Sequence, residues 1–172
     1  MTERQKYEVL RKFDNFEIRK YEPCVIAEVE MNNDYNSATS AAFGHLFNYI
    51  AKGNQSSQKI AMTAPVIAST TDTLDSTSWK IAFVMPSGSK IEDMPLPKEN
   101  RVQLISLPAQ ECVALSFKGR ATKATCEKKE KELRALAKQN GIPLQDETRI
   151  NRFDPPFKPG FLHYNEIVVP VN

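Results

Sequence analysis

Several short segments of the chain alternate apolar and polar residues with a period of two. Val25, Ala27, Val29 and Met31 would share one face of a strand whose other face carries Glu28 and Glu30. Trp79, Ile81, Phe83 and Met85 repeat the pattern over Lys80, and Val113, Leu115 and Phe117 repeat it over Ser116 and Lys118. Tyr7 to Lys12, Phe16 to Tyr21, Val102 to Leu107 and Glu166 to Val171 complete the predicted strands. Strands that are apolar on one face only belong to antiparallel sheets with one wet face.

Two stretches carry the 3.6-residue period of a helix instead. The first is predicted from about Tyr35 to Lys52, with Asn33 or Asp34 as N-cap and Gly53 as the residue just past its end. The second is predicted from about Thr122 to Asn140, where Gly141 stops it and Pro143 forbids resumption. On a wheel of about 100° per residue, the apolar residues of the first helix run from Ala38 through Tyr49, Ala42, Leu46 and Ile50 to Phe43 and Phe47. That arc spans about 180°, where roughly 100° suffices to face a core. With Leu46, Ala42 and Tyr49 turned to a sheet, Phe43 and Phe47 fall on the flank. They either line an open groove or lie under a loop such as the Pro-rich tail. His45 points away from the arc and reads as a solvated helix residue rather than a ligand. The second helix is narrower, with Cys126, Leu133, Leu136 and Ala137 against a charged remainder in which Glu127 and Lys131 stand at supporting spacing. It reads as a packing helix.

A shift of 88 residues relates Cys24 to Cys112 and Gly53 to Gly141. It also lays Trp79 and Ile81 on Ile167 and Val169, so each unit reads strand, strand, helix, strand, strand. Neither unit supplies much core alone. The expectation is one α+β domain over 1–172, with pseudo-repeats at about 1–85 and 100–172. Its half-sheets would join into a distorted antiparallel β-barrel with the two helices packed outside. Pro86 to Asn100 would be a crossover loop.

Charge and composition narrow the function classes. The 172 residues carry 23 Lys and Arg against 21 Asp and Glu, a net charge of +2, too balanced for a surface that tracks phosphates. Nucleic acid is therefore not an expected partner. No stretch of membrane-spanning length is apolar and none of signal-peptide length follows Met1 to Lys6, so a cytoplasmic protein without a membrane span is expected. Cys24, Cys112 and Cys126 form no C-x-x-C pair and read as reduced thiols, with no disulfide framework or structural metal. The chain has no G-x-S-x-G or H-E-x-x-H motif and no phosphate-binding glycine loop, and its carboxylates single out no acid and base pair. A binding protein is expected rather than an enzyme. His163, between a proline cluster and the last strand, reads as a surface loop residue, yet it is the better ligand candidate of the two histidines.

Three segments carry a specific resemblance. They are Phe43 to Ile50 with Gly53-Asn54 and Lys59-Ile60-Ala61-Met62-Thr63-Ala64-Pro65-Val66; Phe83-Val84-Met85-Pro86-Ser87; and Asp154-Pro155-Pro156-Phe157-Lys158-Pro159-Gly160-Phe161-Leu162 with Asn165-Glu166. Together they resemble the SOUL haem-binding protein family, whose start Tyr7-Glu8-Val9 and Glu17 to Tyr21 also fit. The resemblance implies a distorted β-barrel of two similar halves. It also implies haem or another porphyrin as a weakly bound cofactor, carried or buffered in an apolar groove beside the first helix, with no metal of the protein's own. By position the ligand patch falls on Ser40, Phe43, Phe47 and Asn48, with Met62 in the adjoining motif. Some relatives carry an arginine and a lysine where Ser40 and Asn48 stand, which makes Lys59 and Arg152 the replacement bases by motif proximity. Lys20 stands where certain members have a proposed axial histidine, and His163 and Tyr164 replace a usual pair of arginines, leaving His163 a weak candidate haem ligand. The family also resembles effector-binding domains of multidrug-responsive regulators. The alternative is thus a binding module for another hydrophobic small molecule.

Overall fold

The computed structural model describes residues 2–155 and 157–172; Met1, and Pro156 of the proline-rich motif, lie outside them. In chain order the first half holds β1 (Glu3–Arg4), β2 (Tyr7–Lys12), β3 (Glu17–Tyr21), β4 (Cys24–Met31), α1 (Tyr35–Ile50), β5 (Thr63–Ala64), β6 (Val66–Thr70) and β7 (Trp79–Val84). The second half holds β8 (Val102–Leu107), β9 (Gln110–Lys118), α2 (Lys123–Gln139), β10 (Thr148–Arg152) and β11 (Tyr164–Pro170).

Nine strands form one antiparallel sheet in the order β2-β3-β9-β11-β10-β6-β7-β4-β8, while β1 and β5 make a short parallel pair beside it. β2 and β8 are edges, so the sheet curls into an open, distorted half-barrel of the α+β class. From β3 to β8 the order reads the same from either end once β3, β4, β6 and β7 are exchanged with β8, β9, β10 and β11. One strand of each half pairs with the other half at the sheet's ends: β3 with β9, and β8 with β4.

Alternation decides which face meets the helices. Val25, Ala27, Val29 and Met31 join Trp79, Ile81, Phe83, Val113, Leu115, Ile150, Ile167 and Val169 in the main core. From α1, Ala38, Ala42, Leu46 and Tyr49 pack into that core, and from α2, Cys126 and Leu133 do so. Trp79 is fully buried and donates its indole N–H to the Ser76 carbonyl at 2.9 Å. The opposite sheet face carries two small apolar clusters, around Cys112 and around Ile26, and between strands a buried polar group described below.

Both helices begin where polar caps stand. Asp34 accepts from the Ser37 N–H at 2.8 Å, and Thr122 caps α2 through Thr125 N–H. The end of α1 differs from expectation. The left-handed residue after it is Lys52, at φ 96°, not Gly53. Gly53 serves another purpose, because a Cβ there would lie 2.5 Å from the Asn48 carbonyl oxygen. On α2 the Glu127 carboxylate pairs with Lys123 at 3.8 Å rather than with Lys131. The connector before β8 packs along α1, where Pro95 accepts from the Tyr49 hydroxyl at 2.7 Å.

Candidate functional site

A cavity of about 270 Å³ opens between α1 and the paired strands β6 and β10. Thr39, Ser40 and Phe43 come from consecutive turns of α1, Val66 from β6, and Arg152 and Asp154 from the end of β10 and the loop beyond it. Phe43 is wedged edge-on against buried Phe83, with ring centroids 5.4 Å apart. One turn on, Phe47 lies nearly parallel to Phe43 at 6.0 Å. The two rings remain 38% and 52% exposed, so no loop among the described residues covers them. The flank of the broad apolar arc is thus an open aromatic surface beside the cavity.

Its two charged side chains differ in how they are partnered. Arg152 is half-buried and has no ion-pair partner among the described residues. The cavity's carboxylate is already committed: Asp154 accepts from Lys158 Nζ at 2.8 Å and from the Tyr164 N–H at 2.6 Å. Burial opposes its ionisation, but these two donors outweigh that and hold the carboxyl below its ordinary value. Burial pushes the neighbouring Cys126 thiol up to about 12 and also raises the Tyr35 hydroxyl, while the Arg152 charge pulls both the other way. An anionic group entering this cavity would meet an unpaired guanidinium, beside an Asp154 carboxylate already held by its own donors.

Of the residues expected from sequence, Ser40, Phe43 and Arg152 meet in the cavity and Phe47 adjoins it. Asn48 instead donates to Glu99 at 3.3 Å, and His45 Nδ1 lies 2.6 Å from the same carboxylate, so both sit on the far flank of α1. Lys59 is exposed beyond the helix, bridged to Ala51, and Met62 packs against the main core. His163 corrects an expectation. It is only 7% exposed, not a surface loop residue, because its Nε2 hydrogen-bonds the Lys158 carbonyl at 2.7 Å. That bond engages one of its two ring nitrogens, and the ring does not line the cavity. Among the described residues no group of three His, Cys, Asp or Glu side chains is placed to hold a metal ion. Thr39, Val66 and Asp154 are lining residues that sequence reasoning passed over. Val66 and Asp154 lie within the quoted motifs, whereas Thr39 carried no signal.

The SOUL heme-binding protein family profile matches residues 2–170, nearly the whole chain. The chain belongs to the SOUL heme-binding protein family. No curated protein is similar enough in sequence to count as a match. Among solved structures, this SOUL chain is similar to the C-terminal domain of EcmrR, with a TM-score of 0.72 at 14% identity over 96% of this chain and 98% of that one. A hydrolase from Listeria innocua gives 0.61 at 14% identity, over 95% and 94%. SAV2435 bound to tetraphenylphosphonium gives 0.54 at 12% identity, over 91% and 93%. At such identities these likenesses establish a shared fold.

The haem implied by the family can be tested against these side chains. An open aromatic pair fits the face of a macrocycle, and the unpaired Arg152 fits a carboxylate substituent. Neither histidine lines the cavity, and each has one ring nitrogen hydrogen-bonded, to Glu99 or to the Lys158 carbonyl. The site therefore fits the ring and its acidic edge better than it fits axial ligation.

Proposed function

We propose that the protein binds haem or a related tetrapyrrole, weakly and exchangeably, for carrying or buffering. The supporting observation is the stacked, exposed pair Phe43 and Phe47 beside a cavity whose guanidinium, Arg152, has no carboxylate partner among the described residues. At about 270 Å³ the cavity lies just under the usual range for small-molecule pockets, so it takes an edge of the ligand while the open phenyl rings take its face. Ser40 is exposed at the rim and offers a hydroxyl, whereas the Thr39 hydroxyl is already spent on the Tyr35 carbonyl at 2.7 Å. When bound, haem would supply its iron; the chain's own residues bind the ring, orient its acidic edge and leave one face to water. Asn48, Lys59 and Met62 lie outside the cavity, and this reading does not require them.

The test is a haem titration followed at the Soret band. Saturable binding, weakened about tenfold or more by Phe43→Ala or Phe47→Ala, is expected. No saturable change, or the same affinity in both variants, would contradict it. A second reading is another hydrophobic small molecule, supported by the fold likeness to the tetraphenylphosphonium-bound structure. The unpaired Arg152 then favours an apolar acid over an apolar cation. A thermal-shift panel separates the two readings, because a true ligand raises the melting temperature with its concentration over Kd.

A further inference from the structure

Between β10 and β11 the chain exposes three large apolar side chains within six residues. Phe157 is 89% exposed, Phe161 75% and Leu162 47%. Single exposed apolar residues are ordinary, but a cluster on one loop is not. The loop is also held in shape by its polar residues. Asp154 ties Lys158 to the Tyr164 backbone, and the Lys158 carbonyl is bonded to buried His163. Gly160 is buried against the Arg120 side chain, which a Cβ at that position would meet. The aromatic side chains are thus presented by a tied backbone.

Apart from the Asp154–Lys158 pair, the charges on the loop and on the segment beside it have one sign. From Pro155 to His163 the sequence contains no carboxylate. The neighbouring segment carries Lys118, opposite Tyr164 in the sheet register, and Arg120, and its Gly119 N–H donates to the His163 carbonyl at 2.9 Å. Lys118 and Arg120 are exposed, and neither has an ion-pair partner among the described residues.

We propose that this loop docks on an anionic lipid surface, with Phe157 and Phe161 entering the interface and Lys118 and Arg120 facing the headgroups. Aromatic residues flanked by unpaired cations match the two layers of such a surface, apolar below and negative above. A symmetric contact with a second copy would instead bring the same cations together. Asp154 both lines the α1 cavity and anchors the loop, so the lipid-facing loop and the cavity share a wall. The inference does not depend on which ligand the cavity takes.

Vesicle flotation of the full chain tests it. With phosphatidylcholine vesicles containing about 30% phosphatidylserine, the protein should co-float about tenfold more than with phosphatidylcholine alone, and less as salt rises. The double variant Phe157→Ser with Phe161→Ser should lose this binding while keeping its far-UV spectrum. Leu96→Ser, which removes an apolar side chain 65% exposed elsewhere, should keep it. Absence of flotation, equal flotation with both vesicles, or undiminished binding by the double variant would overturn the proposal. So would a concentration-dependent dimer of the parent protein that the double variant abolishes.

Discussion

The buried ion pair on the sheet face away from the helices provides a stability test. Arg19 and Glu166 are each 2% exposed and meet in a fork, Nη1 to Oε1 at 2.8 Å and Nη2 to Oε2 at 2.7 Å. Arg19 also donates to the Tyr21 hydroxyl at 2.9 Å and to Glu17 at 3.1 Å, and lies over the Tyr7 ring at 4.0 Å. Glu166 accepts further from the Tyr164 hydroxyl at 2.7 Å. Changing Glu166→Leu removes the main counter-charge and leaves a guanidinium that cannot shed its proton. Breaking one side of such a pair costs about 3–5 kcal/mol. For a chain of this length, each kcal/mol moves the melting temperature by roughly 2–4 °C, so a fall of about 6–20 °C is expected. Changing Arg19→Met as well removes the stranded charge, and the double variant should fall well short of the summed single losses. Urea unfolding followed by circular dichroism measures all three variants. A loss below about 1 kcal/mol for Glu166→Leu, or simple additivity in the double variant, would refute the reasoning.

Burial pushes the Cys112 thiol up to about 11 and the Cys126 thiol up to about 12, so at pH 8 a thiol reagent should modify at most half-buried Cys24 in the native protein and all three after denaturation. Since these values are raised by folding, the stability they represent is present below the ordinary thiol value near 9 and is lost as the pH climbs through about 11 to 12. Lys52→Gly should stabilise the protein by about 1 kcal/mol, by removing a side chain from left-handed backbone, whereas Gly53→Ala should destabilise it through the clash with Asn48; urea midpoints check both. We propose further that residues 1–85 and 100–172 are equivalent units of one domain, supported by the 88-residue spacing and the order of the sheet. With β3 given to β9 and β8 to β4, neither unit expressed alone should fold, and mixing the two should restore the spectrum of the whole; a folded isolated half would contradict this.

Most of the scaffold could be read from periodicity, because its strands are apolar on alternate residues and its helices are capped by Asp34 and Thr122. Of the four strands that escaped, β1 and β5 form the short side pair, and β6 and β10 join the halves at the sheet's centre. β10 reads Thr-Arg-Ile-Asn-Arg, with one apolar residue, and is strand because β11 and β6 supply partners on both sides. Arg152 was reachable only as a base near a motif for the same reason: nothing local shows that its strand lies beside α1. The wheel placed Phe43 and Phe47 on a flank but could not say what covered them, since that depends on where the tail packs. His163 was misread because its burial comes from a carbonyl five residues away and from the turn around Gly160, neither visible as a pattern. Lys52 in left-handed backbone was hidden by the glycine next to it, the residue type that ordinarily takes that role.

The pairing of an aromatic surface with an unpaired arginine is tested most directly by comparing haem with its dimethyl ester, titrated into the parent protein and into Arg152→Leu. The diacid should bind the parent about tenfold more tightly than the diester. In the Arg152→Leu protein that preference should vanish while both ligands still bind through Phe43 and Phe47. Equal affinity of the parent for acid and ester, or a preference for the acid that survives loss of Arg152, would contradict the site.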